Sequence, residues 1–355
     1  MALNLNEQWS GNIPTGTAGR WISGRGRVAE ADDEMNEISH ADREGLISVV
    51  VPAFNVASYI NEALDSVFTQ TYTSYEIIVV NDGSADTPEL EQQLEQFRGR
   101  IVYLQQENRG AAAARNAALR VAHGEFVAFL DADDRWLPSF LEEQLRFLKL
   151  KGADLVYSDA LLVGDSPLAG NTFMATAPSR GEVTPESLLT AKVAVLTSAV
   201  LARKRPIVEV GLFDEHIKRG HDFDLWLRLV KHGVRVAYYR KVLVHHRLLE
   251  SGLSGNAISQ LERTLTVLET IHNRGGLTAS EEAALRLSMN RTVATLALEI
   301  GKARLMKKDF LDALDSFREA RRLRRSWKLV IVCWGLRIAP NLLWRVYQAR
   351  SIPVS

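Results

Sequence analysis

Residues 126–134 read FVAFLDADD, an apolar run that ends in Asp131, Asp133 and Asp134. The run has the character of a strand covered on both faces. If the backbone stays extended beyond it, Asp131 and Asp133 project to the same side. Like charges this close repel, so something must compensate them: a cation, helix N-terminal amides, or water. The identity of that partner decides what the chain does.

Working outward, the same rhythm recurs on both sides. LISVVVPAFN (46–55), YEIIVVNDGS (75–84), IVYLQQ (101–106) and DLVYSD (154–159) read as further buried strands. Between them, ASYINEALDSVFTQ (57–70) places Ile60, Ala63, Leu64 and Val67 at helical spacing. TPELEQQLEQF (87–97), GAAAARNAALRVA (110–122) and PSFLEEQLRFLKL (138–150) also read as helices. Strands alternating with helices at this pace predict an α/β fold with a largely parallel sheet and right-handed crossovers. Ligands of such sheets bind outside the carboxyl ends of the strands. Pro52-Ala53-Phe54-Asn55, Asn81-Asp82-Gly83-Ser84 and Asp131-Ala132-Asp133-Asp134 all fall at those ends. They converge on one candidate pocket.

Four roles for the aspartates can be weighed. Asp134 is expected to cap the helix starting near Pro138, but capping leaves Asp131 and Asp133 unexplained. A calcium loop beginning at Asp131 would need Gly where Trp136 stands, and a helix rather than a strand before it. A dinucleotide fold needs G-x-G-x-x-G after the first strand, and Val-Pro-Ala-Phe-Asn stands there instead. A divalent ion bridging to a diphosphate fits best. Mg²⁺ or Mn²⁺ takes one or two carboxylates plus phosphate oxygens and water, offsets the repulsion, and polarises a leaving diphosphate.

Composition is consistent with this. The chain has 355 residues, 46% hydrophobic and 24% charged, with zero formal net charge. Overall charge therefore recruits no nucleic acid. One cysteine, Cys333, excludes an intrachain disulfide and fits a reducing compartment. No signal pattern opens the chain, and no stretch reaches the roughly 18–20 apolar residues of a membrane span. Residues 1–44, rich in Gly, Asn, Ser, Asp and Glu, read as a flexible leader. The expected localisation is cytoplasmic.

The text from residue 46 to 256 resembles family 2 glycosyltransferases, which have the GT-A fold. The resemblance rests on SVVVPAFNVASYINEALDSVFTQTY, EIIVVNDGSADTP, ENRGAAAARNAAL and GEFVAFLDADD in order. It continues through VGLFDE, HDFDLWLRL and VHHRLLESGLSGN. It implies a nucleotide-sugar half over 45–159 and an acceptor half over 160–256; beyond it, residues 257–355 read as a helical region by their own pattern. It further implies that Asp82 bonds the nucleotide base, that Pro52 and Phe54 shape the base pocket, and that Arg115 lies over the nucleotide. Asp131 would reach the ribose or the metal shell, and Asp133 would ligate Mn²⁺ or Mg²⁺. Arg247 would lie near the diphosphate with Ser254 close by, and His245 or His246 would complete the metal shell.

Displacement of a sugar by a hydroxyl needs a carboxylate to take the proton. KRGHDFDLWLRLVKHG (218–233) carries Asp222 and Asp224 in the first turn of a helix whose apolar face is Phe223, Trp226, Leu227 and Val230. Two residues apart, they cannot face the same way, so one can enter the site while the other caps. The family opens this helix with Glu-Asp, the Asp acting as base. Asp222 matches it, and His221 stands where the Glu is usual. His221 would lower the pKa of Asp222 or contact a different acceptor.

The C-terminal region has its own signature. LEIGKARLMKKDFLDALDSFREARRL (298–323) reads as a tetratricopeptide-like unit or an ordinary helical hairpin. Between Lys302 and Arg350 there are thirteen Lys and Arg against four Asp and Glu. Trp327, Trp334 and Trp344 beside these cations resemble an interfacial anchor, which would make the protein peripheral on the inner face of the cell membrane. The rival reading is a helix buried in an oligomer.

The sequence thus predicts an inverting, metal-dependent glycosyltransferase. It would move a sugar from a nucleotide-diphosphate donor, UDP-linked, to a hydroxyl of a glycan or lipid-linked acceptor. The alternative is a non-catalytic nucleotide-sugar-binding scaffold that recruits partners through its helical tail.

Overall fold

The computed structural model describes residues 43–177, 179–248, 257–324 and 326–351. The expected leader lies outside the described residues up to residue 42, as do residues 249–256 with Ser254. The first half alternates as expected: β1 (Arg43–Ala53), α1 (Ile60–Phe68), β2 (Tyr75–Asp82), α2 (Thr87–Leu94), β3 (Val102–Gln106), α3 (Ala111–Val121) and β4 (Gly124–Phe129). After the acidic turn come β5 (Arg135–Trp136), α4 (Phe140–Lys151), β6 (Leu155–Gly164), α5 (Phe173–Thr176), α6 (Pro185–Leu189), β7 (Val200–Arg203), α7 (Lys204–Glu209), α8 (His221–Lys231) and β8 (Val236–Leu248). Five helices follow: α9 (Ala257–Arg274), α10 (Ala279–Met306), α11 (Phe310–Leu323), α12 (Trp327–Ile338) and α13 (Pro340–Ser351).

One eight-stranded sheet runs β3-β2-β1-β4-β7-β6-β8-β5. The β3-β2-β1-β4 half is parallel, with Val51 opposite Val79 and Val50 opposite Phe129. β7 enters antiparallel between β4 and β6, and β5 closes the far edge antiparallel to β8. β1 connects onward to β2 on one side and meets β4 on the other. That reversal opens a crevice at the carboxyl ends of β1 and β4.

The apolar runs sort by strand period. Ile47, Val49 and Val51 face a core with α1, α2 and α4, whereas Val50 faces the opposite core with α3 and α8. Both faces of β1 are therefore dry, which is why it reads as an unbroken apolar run.

The C-terminal helices pack on the sheet domain through α6 and α8. Val267, Leu268 and Ile271 of α9 and Leu285 of α10 bury Leu189 and Leu227. Two ion pairs tie the same contact: Lys231 to Glu281 at 2.6 Å, and Arg274 to Asp224. α10 and α11 form a hairpin in which Gly301 lies under the ring of Phe317, and α10 extends far N-terminal of that hairpin. A Cβ at Gly301 would stand 3.0 Å from Phe317 Cε1. Gly301→Leu is therefore expected to destabilise the α10–α11 hairpin by about 1–3 kcal/mol through overpacking, read as a lower urea midpoint.

Candidate active site

The crevice is a cleft of about 590 Å³. Pro52, Phe54, Asp82, Arg115, Asp131, Asp133, Asp222 and Arg247 all line it, so these eight expected residues meet in one place. Phe54 projects at the rim, 48% exposed.

Asp82 ends β2 and is almost fully buried. Oδ1 accepts from Gln106 Nε2 at 2.7 Å and from the Arg109 amide at 2.9 Å, and Oδ2 accepts from the Gly110 amide at 2.8 Å. Its carboxylate thus holds the 108–110 loop against the cleft. Gly83 makes that approach possible. It has φ +66°, and a Cβ there would stand 2.6 Å from the Asn108 nitrogen. Asn55 completes the rim, accepting from the Ala85 amide at 2.8 Å.

The acidic turn departs from the extended geometry. β4 stops at Phe129, and the Asp134 amide donates to the Asp131 carbonyl at 2.9 Å. The three carboxylates then diverge. Asp131 Oδ1 accepts from Arg115 Nη2, and its backbone amide donates to Ser198 Oγ at 3.1 Å. Burial works against the ionised form of Asp131, but the charge and hydrogen bond of Arg115 prevail and hold its carboxyl below the usual range. Asp134 is no helix cap. The α4 N-cap is Ser139, and Asp134, fully buried, sits 3.0 Å from His246 Nδ1 and accepts from the Arg247 amide at 2.9 Å. Asp133 takes part in no ion pair among the described residues. Burial first, then the charges of Asp134 and Asp131, push its carboxyl up to about 7.

Two cleft histidine expectations are revised. His221 is buried, and its Nε2 accepts from Arg115 Nη1 at 2.7 Å. Burial and the adjacent Arg115 charge push its pKa down to about 4, outweighing Asp222 and Asp131. It is neutral at physiological pH and brings no positive charge to Asp222. His245 pairs across from Arg135 on the sheet edge, outside the cleft lining, so of the two neighbours His246 is the one that lines the cleft. Burial lowers the His246 pKa as the largest single influence, but the hydrogen bond and charge of Asp134 and the neighbouring aspartates raise it overall.

Asp222 and Asp224 part company as helical geometry requires, but neither acts as a helix cap in the way expected. Gly220 is the α8 N-cap. Asp222 faces the cleft and accepts from Thr197 Oγ1 at 3.0 Å. Asp224 is fully buried and bonds Arg228 Nε at 2.8 Å and Arg274. Arg247 lies in the cleft with Nη2 2.8 Å from Glu62 and Nε donating to the Asp133 carbonyl at 3.1 Å.

Sequence reading missed several participants. Thr197 and Ser198 sit in a short turn before β7 and position Asp222 and Asp131; the only local signal is two hydroxyls ahead of an apolar run. Lys218 and Arg219 line the cleft, exposed, with no ion pair among the described residues. Their position just before the HDFD helix start was the available clue.

Among the described residues, no group of three or more His, Cys, Asp or Glu forms a ready metal cage. The donor set nevertheless suits a hard divalent ion that keeps water and substrate oxygens in its shell. Asp133 offers an uncompensated carboxylate. Asp134 occupies Nδ1 of His246, which leaves Nε2 as the ring nitrogen for a ligand. Asp131 has one oxygen committed to Arg115.

Comparisons with known proteins agree with this geometry. Residues 48–192 match the family described as Glycosyl transferase family 2. A putative teichuronic acid biosynthesis glycosyltransferase, TuaG of Bacillus subtilis, is 31% identical over 64% of this chain and 88% of its own. The Escherichia coli UDP-Glc:alpha-D-GlcNAc-diphosphoundecaprenol beta-1,3-glucosyltransferase WfgD is 30% identical over 63% of this chain and 85% of its own. Among solved structures, S. aureus TarS 1–349 with UDP-GlcNAc shares the fold at TM-score 0.57 and 22% identity, covering 85% of this chain and 90% of that one. The Pyrobaculum calidifontis mannosyltransferase PcManGT with GDP-Man and Mn²⁺ does so at TM-score 0.56 and 20% identity, covering 85% and 83%. With the strand-end cleft, the acidic turn and relatives of this identity and coverage together, the chain belongs to glycosyltransferase family 2.

Proposed function

We propose that this enzyme transfers a sugar from a UDP-sugar to a hydroxyl of a glycan or lipid-linked acceptor, with inversion, and that it depends on a divalent metal. The observation that carries the reading is the division of labour among the four carboxylates lining the cleft. Asp82 is bonded on both oxygens, and Asp131 is paired with Arg115. Among the described residues Asp133 has no ion-pair partner, and Asp222 is oriented by Thr197 and the Phe223 amide.

In this reading Asp133 and His246 would hold Mn²⁺ or Mg²⁺. The ion, when bound, offsets diphosphate charge and favours departure of the nucleotide. The base lies by Phe54, Pro52 and the Asp82-anchored loop. Arg247, Lys218 and Arg219 face the diphosphate as the cations of the cleft, and Arg suits phosphate recognition. Asp222 takes the proton of the acceptor hydroxyl while its oxygen bonds to the sugar carbon and the carbon–diphosphate bond breaks on the opposite face. With Asp133 given to the metal, Asp222 is left as the base among the described cleft carboxylates, and direct displacement by the acceptor hydroxyl inverts the carbon. The rival scaffold reading leaned on His221. Here His221 serves Arg115, and Asp222 keeps its place in the cleft.

The acceptor side has a second cavity of about 300 Å³ that shares Gly220 and Asp222 with the main cleft. Leu188, Val193, Trp226, Val267 and Leu268 make it apolar. An acceptor with an apolar portion near its reacting hydroxyl suits it, in keeping with a lipid-linked chain.

Three outcomes test the reading. UDP is expected to bind more tightly with Mn²⁺ than with chelator in calorimetric titration, and Asp133→Ala is expected to abolish the difference; equal affinities in the native protein would remove the metal role. Asp222→Asn is expected to lower turnover about 10²–10⁴-fold with UDP affinity intact, because the lost interaction acts in the transition state; native-like turnover would rule Asp222 out as base. His221, held neutral in the fold at a pKa of about 4 against an ordinary 6.5, takes up its proton more readily in the unfolded chain. Stability is then expected to rise with pH between these values and to be lost on acidification through them, by on the order of 1–3 kcal/mol. Thermal melts from pH 4 to 7 should show a flatter profile in His221→Gln.

A further inference from the structure

α12 is apolar on two opposite sides. Its inner side, Leu329, Cys333 and Leu336, is buried against α11 around Phe317. Its outer side carries Trp327, Ile331, Trp334 and Ile338 at steps of four, three and four, one helical stripe. Their exposures are 70%, 57%, 62% and 68%. On α13, Leu342 and Val346, four residues apart on one helical side, are also exposed. An ordinary surface helix turns a polar face outward, and an exposed apolar band of this extent marks an interaction surface.

We propose that the outer face of α12 and α13 is a membrane-interface surface that seats the enzyme on an anionic lipid bilayer. The charge pattern selects this occupant. From Arg318 to Arg350 the chain carries nine Lys and Arg and one acidic residue, Glu319. Lys328, Arg337 and Arg345 flank the stripe, exposed, in no ion pair among the described residues. A second copy placing the same face against this one would bring these cations together uncompensated. Anionic headgroups supply the opposite sign and attract basic segments lying near the surface. Indole rings favour this boundary because the ring is apolar while its N–H stays hydrated.

The structure also redraws the anchor expected from the sequence. Trp344 turns inward: its Nε1 points to the Met306 carbonyl at 3.4 Å, and Lys308 Nζ lies 4.3 Å from its ring centroid. Trp327 and Trp334, with the two isoleucines, form the seating face. Among the described residues no helix is long and apolar enough to cross a membrane, so the helices lie along the interface rather than span it. This inference stands apart from the catalytic reading.

The test is vesicle co-sedimentation of the full chain. Binding is expected to phosphatidylglycerol-containing vesicles at low salt, and to be at least about tenfold weaker at high salt or with pure phosphatidylcholine. Ile331→Asp with Trp334→Asp is expected to lower partitioning at least about tenfold while the thermal unfolding midpoint and far-UV circular dichroism, the checks on folding, are unchanged. If that double variant fails to fold, Trp334→Ser provides the second arm. Lipids brominated in their acyl chains are expected to quench the tryptophan emission of the native chain, and less so that of Trp334→Ser. The proposal is overturned by absence of binding at low salt, by equal binding to neutral vesicles, or by variants that bind and quench like the native chain. It is equally overturned if the outer-face residues instead drive self-association of the lipid-free chain with no vesicle binding, which would make the occupant a second copy.

Discussion

Three carboxylates within four residues cannot share a buried turn unless their charges are separated, and the site is arranged around that separation. An unpaired buried charge is costly, and breaking one partner of a buried pair is costlier still than the pair is worth. Asp131 is met by the Arg115 guanidinium, itself steadied by a neutral His221. Asp134 is met by His246 and the Arg247 amide. Asp133 is left over, and burial first, then the charges of Asp134 and Asp131, push its carboxyl up to about 7. It is the carboxylate of the turn that faces the cleft without an ion-pair partner among the described residues.

The same economy operates on α8. Asp222 and Asp224 lie on different sides of one helix, and each side has a different job. Asp222 addresses the cleft through Thr197. Asp224, at full burial, ties Arg228 and Arg274 and so binds the start of α8 to the end of α9. Gly220, with φ +74°, lets Val267 come so close that an added Cβ would stand 2.7 Å from its Cγ2. The helical extension is therefore packed against the segment that presents Asp222, and it walls the apolar cavity beside it.

Much of this was legible because it is local. Buried strands betray themselves by continuous apolar runs, and β1, β2, β3, β4 and β6 were all readable that way, as were the polar ends that converge on the cleft. What escaped the sequence is what long-range pairing decides. β7 is four residues long and inserts antiparallel between β4 and β6, an order no periodicity encodes. Asp134 looked like a helix cap because its true partners lie on β8, far along the chain. Trp344 looked like its two tryptophan neighbours in the basic tail until packing against Met306 and Lys308 set it apart. His221 was visible as a departure, but its meaning depended on Arg115, which only the fold brings to 2.7 Å.

The pairing of Asp134 with His246 spans 112 residues of chain. During synthesis β1 to β4 emerge well before β8, and domains tend to form as their segments leave the ribosome. Until β8 docks, the acidic turn lacks both the imidazole and the amide that receive Asp134. The nascent N-terminal half therefore carries an incompletely balanced turn, and β8 both joins β6 to the edge strand β5 and brings His246 and Arg247 to the cleft. A chain stopped short of β8 lacks both groups that receive Asp134.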